Sequence, residues 1–324
     1  MHAAILAAGK STRTYPLTIA RPKPLLKAAD KTLLEHNLDS LNGIADEVII
    51  IVGYKKEMIK RFFGNKYKKL KIKYIEQRQQ LGTGHAASLL EPYISDRFIL
   101  LMGDNIYSRE DMINCMKHRY SILTAKTKHP ENFGAVTEEN GILADFVEKP
   151  KKFASDTIST AMYCLDRKIF DCIKKTRKSK RNEIELPDAV KLLAKGQNVH
   201  CVRARRWLPI GYPQDLLKAD AILRKSKNLV GKNSKIYGQM LNSNVGDNCT
   251  IKGKIKNSII MDGTLTDKNS IIENSIVGEN SNISGKILNA VIADNVKIKN
   301  STIKNCKIWP NKLILNKTIS HDVK

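Results

Sequence analysis

The sequence predicts an α/β fold, a mostly parallel sheet with helices on both faces, followed by a parallel β-helix. Three observations carry this. From residue 1 to about 225, short apolar runs alternate with stretches of helical spacing, the pattern of strands and crossover helices. After about residue 230 the helical spacing stops, and Asn, Gly, Ser and Ile dominate. There an apolar residue returns every six positions, at Ile259, Leu265, Ile271, Val277 and Ile283, as in a β-solenoid built of hexapeptides. The expected domains are therefore 1–225 and 226–324, with the lysine-rich ADAILRKSKNLVGKNSK (219–235) at the junction.

In the first half, AAIL (3–6), EVIIIVG (47–53), IKYIE (72–76), RFILLMGD (97–104) and SILTAKT (121–127) read as strands bounded by polar or glycine signals. Between them, KTLLEHNLDSLNGI (31–44) and YKKEMIKRFFG (54–64) place apolar residues at helical intervals. Ligands of such sheets bind at the carboxyl ends of the strands, which is where the Gly9 loop and Asp104 fall. In the second half a longer repeat is superposed on the six-residue one. Val245-Gly-Asp-Asn, Ile260-Met-Asp-Gly, Val277-Gly-Glu-Asn and Ile292-Ala-Asp-Asn are spaced by 15, 17 and 15 residues. Each coil of a solenoid buries its apolar residues only against its neighbours.

Composition narrows the function classes. The six cysteines form no Cys-x-x-Cys pair, which argues against a zinc site and for reduced thiols in a cytoplasmic protein. No apolar run reaches the roughly 18 residues of a membrane span, and no charged region precedes AAILAAG as in a signal peptide. The net charge of +24 fits an anionic partner or a lysine-rich proteome. The lysine runs at 66–73 and 174–181 lack the interleaved aromatics of a single-strand nucleic-acid platform, so neither nucleic acid nor membrane is the expected partner.

The stretch LAAGKSTRTYPLTIARPKPLL (6–26) carries the chemistry. Gly9-Lys10-Ser11-Thr12 looks like the end of a P-loop, but Ala4 stands where that motif needs a glycine. Pro16, Pro22 and Pro24 also oppose a helix opening at Lys10. The alternative is a glycine turn whose backbone N–H groups cradle phosphate, with Arg13 and Lys23 supplying positive charge to a phosphoryl transition state.

This stretch closely resembles the signature of sugar-1-phosphate nucleotidylyltransferases. The similarity continues in order through QLGTGHA (80–86), LLMGDN (100–105), FGAV (133–136), VEKP (147–150) and NEIELPDAV (182–190). The repeats resemble the hexapeptide tail many such enzymes carry, so the resemblance implies a Rossmann-like sheet followed by a left-handed β-helix. It also implies that a sugar-1-phosphate oxygen attacks the α-phosphorus of a nucleoside triphosphate, with Mg²⁺ as cofactor and pyrophosphate leaving. By this similarity Leu6, Ala8, Gly9, Gln80, Gly82 and Thr83 would bind the nucleotide, and Arg13 and Lys23 would be catalytic. Asp104 would ligate Mg²⁺, and Gly134, Glu148 and Lys149 would bind the sugar phosphate.

QLGTGHA is similar to the uridylyl- and thymidylyltransferase branches, favouring UTP or dTTP, whereas KIWPNK (307–312) resembles mannose-1-phosphate guanylyltransferases. Three positions depart from the family pattern. Ser11 replaces the second signature glycine, Pro209 in WLPIGYP (207–213) replaces a metal-binding Asp, and TAMYCLD (160–166) lacks its usual glycine. A catalytically impaired, nucleotide-sugar-sensing homologue is the alternative these departures raise. No histidine occurs between residues 226 and 320, so the acetyl transfer of some solenoid tails is not expected. Self-association through the β-helix is expected instead.

Overall fold

The computed structural model describes residues 1–324. In chain order the first half comprises β1 (His2–Ala7), α1 (Leu17–Ala20), β2 (Lys27–Ala28), β3 (Lys31–Thr32), α2 (Leu33–Leu41) and β4 (Glu47–Val52). Next come α3 (Lys56–Phe63), β5 (Lys66–Tyr67), β6 (Leu70–Glu76), α4 (Thr83–Ser88), β7 (Phe98–Met102), β8 (Asn105–Tyr107), α5 (Arg109–Met116) and β9 (Ser121–Lys126). The remainder is β10 (Gly134–Glu139), β11 (Ile142–Glu148), β12 (Thr157–Leu165), α6 (Lys168–Lys175), α7 (Leu186–Ala194), β13 (His200–Arg203), β14 (Trp207–Pro209) and α8 (Pro213–Leu223).

The chain forms two compact units that do not follow the 225/226 division of the sequence. One comprises Met1–Gly9 and Leu34–Pro209, the other Lys10–Leu33 and Ile210–Lys324. The repeats mark where the solenoid begins, but the proline-rich segment after Gly9 belongs with the solenoid.

The first unit holds a ten-stranded sheet in the order β10-β11-β13-β9-β12-β7-β1-β4-β6-β5. Its β7-β1-β4-β6 portion is parallel, as the alternation of apolar runs and helices predicts. Strands β1, β4 and β7 are buried on both faces and read as continuous apolar runs, EVIIIV and FILLM among them, whereas β6 (LKIKYIE) alternates buried and exposed residues. On the other side β12 runs antiparallel between β7 and β9. The core packs Ile49, Phe98, Leu100, Ile122, Phe146, Tyr163 and Val190 together, with Phe98 stacked on Phe170 at 6.0 Å between ring centroids.

Strand β12 has a kink. Its register against β9 shifts between Ser159 and Tyr163, and Ala161 takes φ 60°. Ser159 Oγ accepts the Ala161 N–H at 2.9 Å, and the Tyr107 hydroxyl donates to the Thr160 carbonyl at 2.7 Å. Within the stretch that lacks the family's usual glycine, Ala161 thus takes a backbone conformation that favours glycine, at a steric cost of about 1 kcal/mol.

In the second unit the solenoid is a parallel β-helix of the expected class. Successive coils pair in the register Leu229↔Asn244, Asn244↔Ile259, Ile259↔Ile276, Ile276↔Val291 and Val291↔Lys307. The tetrads spaced by 15, 17 and 15 therefore stack directly on one another. The six-residue series does not hold throughout. Leu265 is 44% exposed, and the buried column runs Val245, Ile251, Ile255, Ile260, Ile272, Val277, Ile283 and Ile287. The coils are shorter than three hexads because tight corners save residues.

Those corners are asparagines in the left-handed region. Asn242, Asn257, Asn274, Asn289 and Asn305 have φ between 44° and 52°. Their carboxamides form a ladder, each Nδ2 donating to the next Oδ1 at 2.8, 3.1, 3.2 and 3.2 Å. Asparagine tolerates the left-handed turn and supplies both donor and acceptor.

Two outcomes follow for stability. Asn274→Ala loses two ladder bonds and places a Cβ without compensation at positive φ, so unfolding free energy should fall by about 2–3 kcal/mol, and by about 1 kcal/mol for Asn274→Gly. Denaturant melts of both variants test the order. Ala161→Gly relieves the kink and should stabilise by about 0.5–1 kcal/mol, read as a shift in the melting midpoint.

Candidate active site

The carboxyl edge of the parallel strands brings together motifs far apart in sequence. After β1 the chain continues through Ala8 to Gly9. The Ala8 carbonyl accepts the Tyr54 N–H at 3.0 Å and the Gln80 Nε2–H at 2.8 Å. Gly53 permits this approach, since a Cβ there would lie 2.8 Å from the Ala8 oxygen. One strand over, the Gly103 N–H donates to the Leu6 carbonyl at 2.9 Å, which sets Asp104 at the same edge. Leu6, Ala8, Gln80 and Asp104 thus share one rim, and Gly9 is exposed beside it.

Gly82 begins α4 with φ 103°, a conformation that suits glycine alone. Beyond it Thr83 Oγ1 accepts the Leu186 N–H at 3.1 Å, and the Gly84 N–H donates to the Ile184 carbonyl at 2.8 Å. The segment 181–186 therefore joins the Gln80–Thr83 loop to the end of β11. Arg181 reaches Glu185 at 2.8 Å and Glu148 at 3.6 Å. Gly134 pairs with Glu148 in the β10–β11 ladder, and a Cβ on Gly134 would stand 3.0 Å from Glu148 Oε2.

Burial pushes the Glu148 carboxyl above its usual range. Lys149 and Arg181 oppose that shift, and Glu185 adds to it. Lys149 has φ 48°, another non-glycine residue in the left-handed region, and its N–H donates to the Phe133 carbonyl at 2.9 Å. Strain of this kind concentrates at functional sites.

For a divalent cation the first unit offers the Asp104 carboxylate, with Asn105 Nδ2 donating to its Oδ1 at 3.3 Å. Pro209 lies opposite Asn105 in the β8–β14 ladder, so the departure at this position stands beside the residue after Asp104 and contributes no side-chain oxygen. No group of three or more His, Cys, Asp or Glu side chains is arranged to hold a metal. A single hard carboxylate still fits Mg²⁺, which keeps several waters and takes its other oxygens from substrate phosphates.

Arg13 and Lys23 belong to the second unit. No helix opens at Lys10. Ser11 is left-handed at φ 53°, and a 3₁₀ turn covers Thr12–Thr14. The Ser11 carbonyl accepts the Thr14 N–H at 3.2 Å, Thr14 Oγ1 at 2.7 Å and Thr18 Oγ1 at 2.9 Å. Arg13 is exposed, its guanidinium 5.6 Å from the centroid of the Tyr212 ring. Lys23 is buried, at 3% exposure, and opens a second 3₁₀ turn, Lys23–Leu25. Arg181 and Glu185 are the site residues that sequence reasoning missed. Both lie in or beside NEIELPDAV, but residue type alone does not show that they face Glu148.

Residues 2–226 match the family model described as Nucleotidyl transferase, and residues 219–323 match one described as GMPPB C-terminal domain. The bifunctional protein GlmU of Methanocaldococcus jannaschii is 37% identical over 269 residues, which is 82% of this chain and 61% of that protein. The chain thus spans about 61% of the length of that curated relative. The UTP–glucose-1-phosphate uridylyltransferase AglF of Haloferax volcanii is 32% identical over 239 residues, 69% of this chain and 97% of that protein. Among solved structures, a Bacillus anthracis protein described as a glucose-1-phosphate thymidylyltransferase, in complex with sucrose, aligns with a TM-score of 0.63 at 28% identity. That alignment covers 69% of this chain and 95% of the other. A UDP-glucose pyrophosphorylase complexed with UDP-glucose shares the fold, with a TM-score of 0.63 at 22% identity, covering 70% of this chain and 99% of the other. The first match covers more than half of the chain, and the protein is therefore a member of the nucleotidyl transferase family.

Proposed function

We propose that this chain transfers a nucleotidyl group from a nucleoside triphosphate, UTP or dTTP in preference, to a sugar-1-phosphate, giving a nucleotide-sugar and pyrophosphate. The observation that carries the reading is the rim along which Leu6, Ala8, Gln80, Thr83, Asp104 and Glu148 are tied by short backbone and side-chain contacts. Support also comes from two of the similar proteins, one named a uridylyltransferase and one a thymidylyltransferase.

In this reading Leu6, Ala8 and Gly9 hold the base and ribose, with Gln80, Gly82 and Thr83 completing the pocket. The Gln80 carboxamide uses Nε2 on the Ala8 carbonyl, and its Oε1 acceptor serves a base edge. The sugar-phosphate oxygen forms a bond to the α-phosphorus as the bond to pyrophosphate breaks, and charge builds on the leaving oxygens. Arg13 and Lys23 neutralise that charge. Glu148 accepts from a sugar hydroxyl, and Lys149 pairs with the sugar phosphate. Mg²⁺, held by Asp104, would supply Lewis-acid neutralisation of the phosphates.

A guanylyl-transferring reading rests on the tail, which matches the GMPPB C-terminal domain model and contains KIWPNK (307–312). The base pocket lies in the other half, so the pyrimidine reading is preferred. Pyrophosphate release across a matrix of triphosphates and sugar-1-phosphates decides between them. Absence of release with every pair, while nucleotide-sugar binding persists, would favour the impaired, sensing homologue that Pro209 suggests.

Two further outcomes test the assignments. Lys23→Ala should lower kcat by at least about a hundredfold, the loss typical of a missing transition-state charge partner, in a pyrophosphate-release assay. Unchanged turnover sinks the loop assignment. Glu148 accepts a sugar hydroxyl most strongly as the carboxylate, and its pKa is raised. Activity should therefore fall on acidification at a pH above the ordinary carboxylate range, and Arg181→Ala should move that limb higher still. A pH profile of kcat/KM for both proteins checks the direction.

A further inference from the structure

The third position of the solenoid tetrads is acidic in every coil that carries one: Asp247, Asp262, Glu279 and Asp294. Part of its role is internal. Asp247 Oδ1 accepts the Lys232 N–H at 2.6 Å, Asp262 Oδ1 the Asp247 N–H at 3.0 Å, and Asp294 Oδ1 the Glu279 N–H at 2.9 Å. One oxygen of each Asp thus stacks coil on coil. For Asp262 and Asp294 the other oxygen faces the proline-rich segment. Lys27 Nζ donates to Asp262 Oδ2 at 2.6 Å. Arg21 donates one guanidinium nitrogen to Glu279 Oε1 and the other to Asp294 Oδ2, spanning two coils. Its Nη1 also lies 3.9 Å from Met261 Sδ.

Arg21 and Lys27 flank Lys23 in sequence. Between them Pro22 and Pro24 fix φ, and the turn closes with the Leu25 N–H on the Pro22 carbonyl at 3.0 Å and the Leu26 N–H on the Lys23 carbonyl at 2.9 Å. A segment stiffened in this way and pinned at both sides has little freedom to move Lys23 on its own. The pins require an acidic residue at one corner of three successive coils.

We propose that the acidic column of the β-helix, through Arg21 and Lys27, is the positioning device for the catalytic Lys23, so that the tail sets the geometry of nucleotidyl transfer. The inference rests on the function proposed above for Lys23. Arg21 and Lys27 are positioning residues. They act on phosphate chemistry only through the turn they hold.

The test compares the full-length protein with a Glu279→Gln/Asp294→Asn double variant and with Arg21→Lys and Arg21→Met. The double variant keeps the stacking oxygen of residue 294 and removes both charges facing Arg21. Amide hydrogen exchange over residues 12–26 should quicken by about tenfold or more while exchange in the coils stays at its wild-type level. In the same variant kcat should fall by about ten- to a hundredfold with little change in KM for the triphosphate, the signature of a misplaced transition-state group. Arg21→Lys, which keeps the charge but not the fork, should fall between wild type and Arg21→Met.

Wild-type kcat in the double variant overturns the proposal, whatever the exchange shows. Exchange that quickens equally throughout the coils also overturns it, because the residues would then be merely structural. If wild-type protein releases no pyrophosphate with any substrate pair, the function reading fails, and the exchange result still reports separately on whether the column holds the segment.

Discussion

A left-handed backbone turn made without glycine is the constraint on which this structure depends. In the β-helix each coil must turn sharply and still land in register on the coil below. Asparagine meets both demands, since its backbone accepts positive φ and its carboxamide bonds to the same residue one coil away. The ladder, together with the Asp and Ser side chains that bond from coil to coil, holds the apolar column in register where the parallel strands are only two or three residues long and specify little by themselves. The same device recurs outside the repeats, in Ser11, Lys149 and Ala161. There it has no repeating partner and must be held by single contacts: hydroxyls on the Ser11 carbonyl, the Phe133 carbonyl on Lys149, and Ser159 on Ala161.

Two of the three family departures take on a physical meaning from this. Ser11 stands where the family pattern has glycine, and Ala161 lies in the stretch that lacks the family's usual glycine, yet both take a positive φ. The backbone path is preserved and the residue bears the steric cost. Pro209 is different, because what it lacks is a side-chain oxygen, and no backbone conformation replaces one. Its place opposite Asn105 keeps the β8–β14 pairing intact while leaving Asp104 as the carboxylate at that point of the rim.

Much of this was legible in the sequence, and the reasons for the rest are particular. Strands β1, β4 and β7 are uniform apolar runs, so their buried parallel character and the edge position of Asp104 could be read directly. The tetrads could be read because they include the corner itself, the Asn or Gly at positive φ. The six-residue series could not be extended, because it assumes equal sides and the corners shorten them, which turns Leu265 outward. The antiparallel strand β12 was missed since TISTAMYCL carries a kink that no local pattern announces. The Arg181–Glu148 contact was missed because only the fold brings residues 181 and 148 together.

The division into units was the least legible feature, and buried or half-buried ion pairs accompany it. In sequence, Lys10–Leu33 is a loop between a strand and a helix of the first half. In the structure it is grouped with the solenoid, where Arg21 is buried against two carboxylates. Burial alone would lower the guanidinium's affinity for its proton, but Asp294 and Glu279 more than reverse this, and the net shift is upward. Such a pair contributes little net stability, since the desolvation of three charged groups offsets most of the attraction. An apolar contact would hold the segment as firmly at less cost. What the ion pairs add is direction: a bidentate guanidinium accepts one orientation of two carboxylates, whereas an apolar surface accepts many. A charged, buried anchor beside a buried lysine is therefore better understood as fixing an orientation than as adding stability.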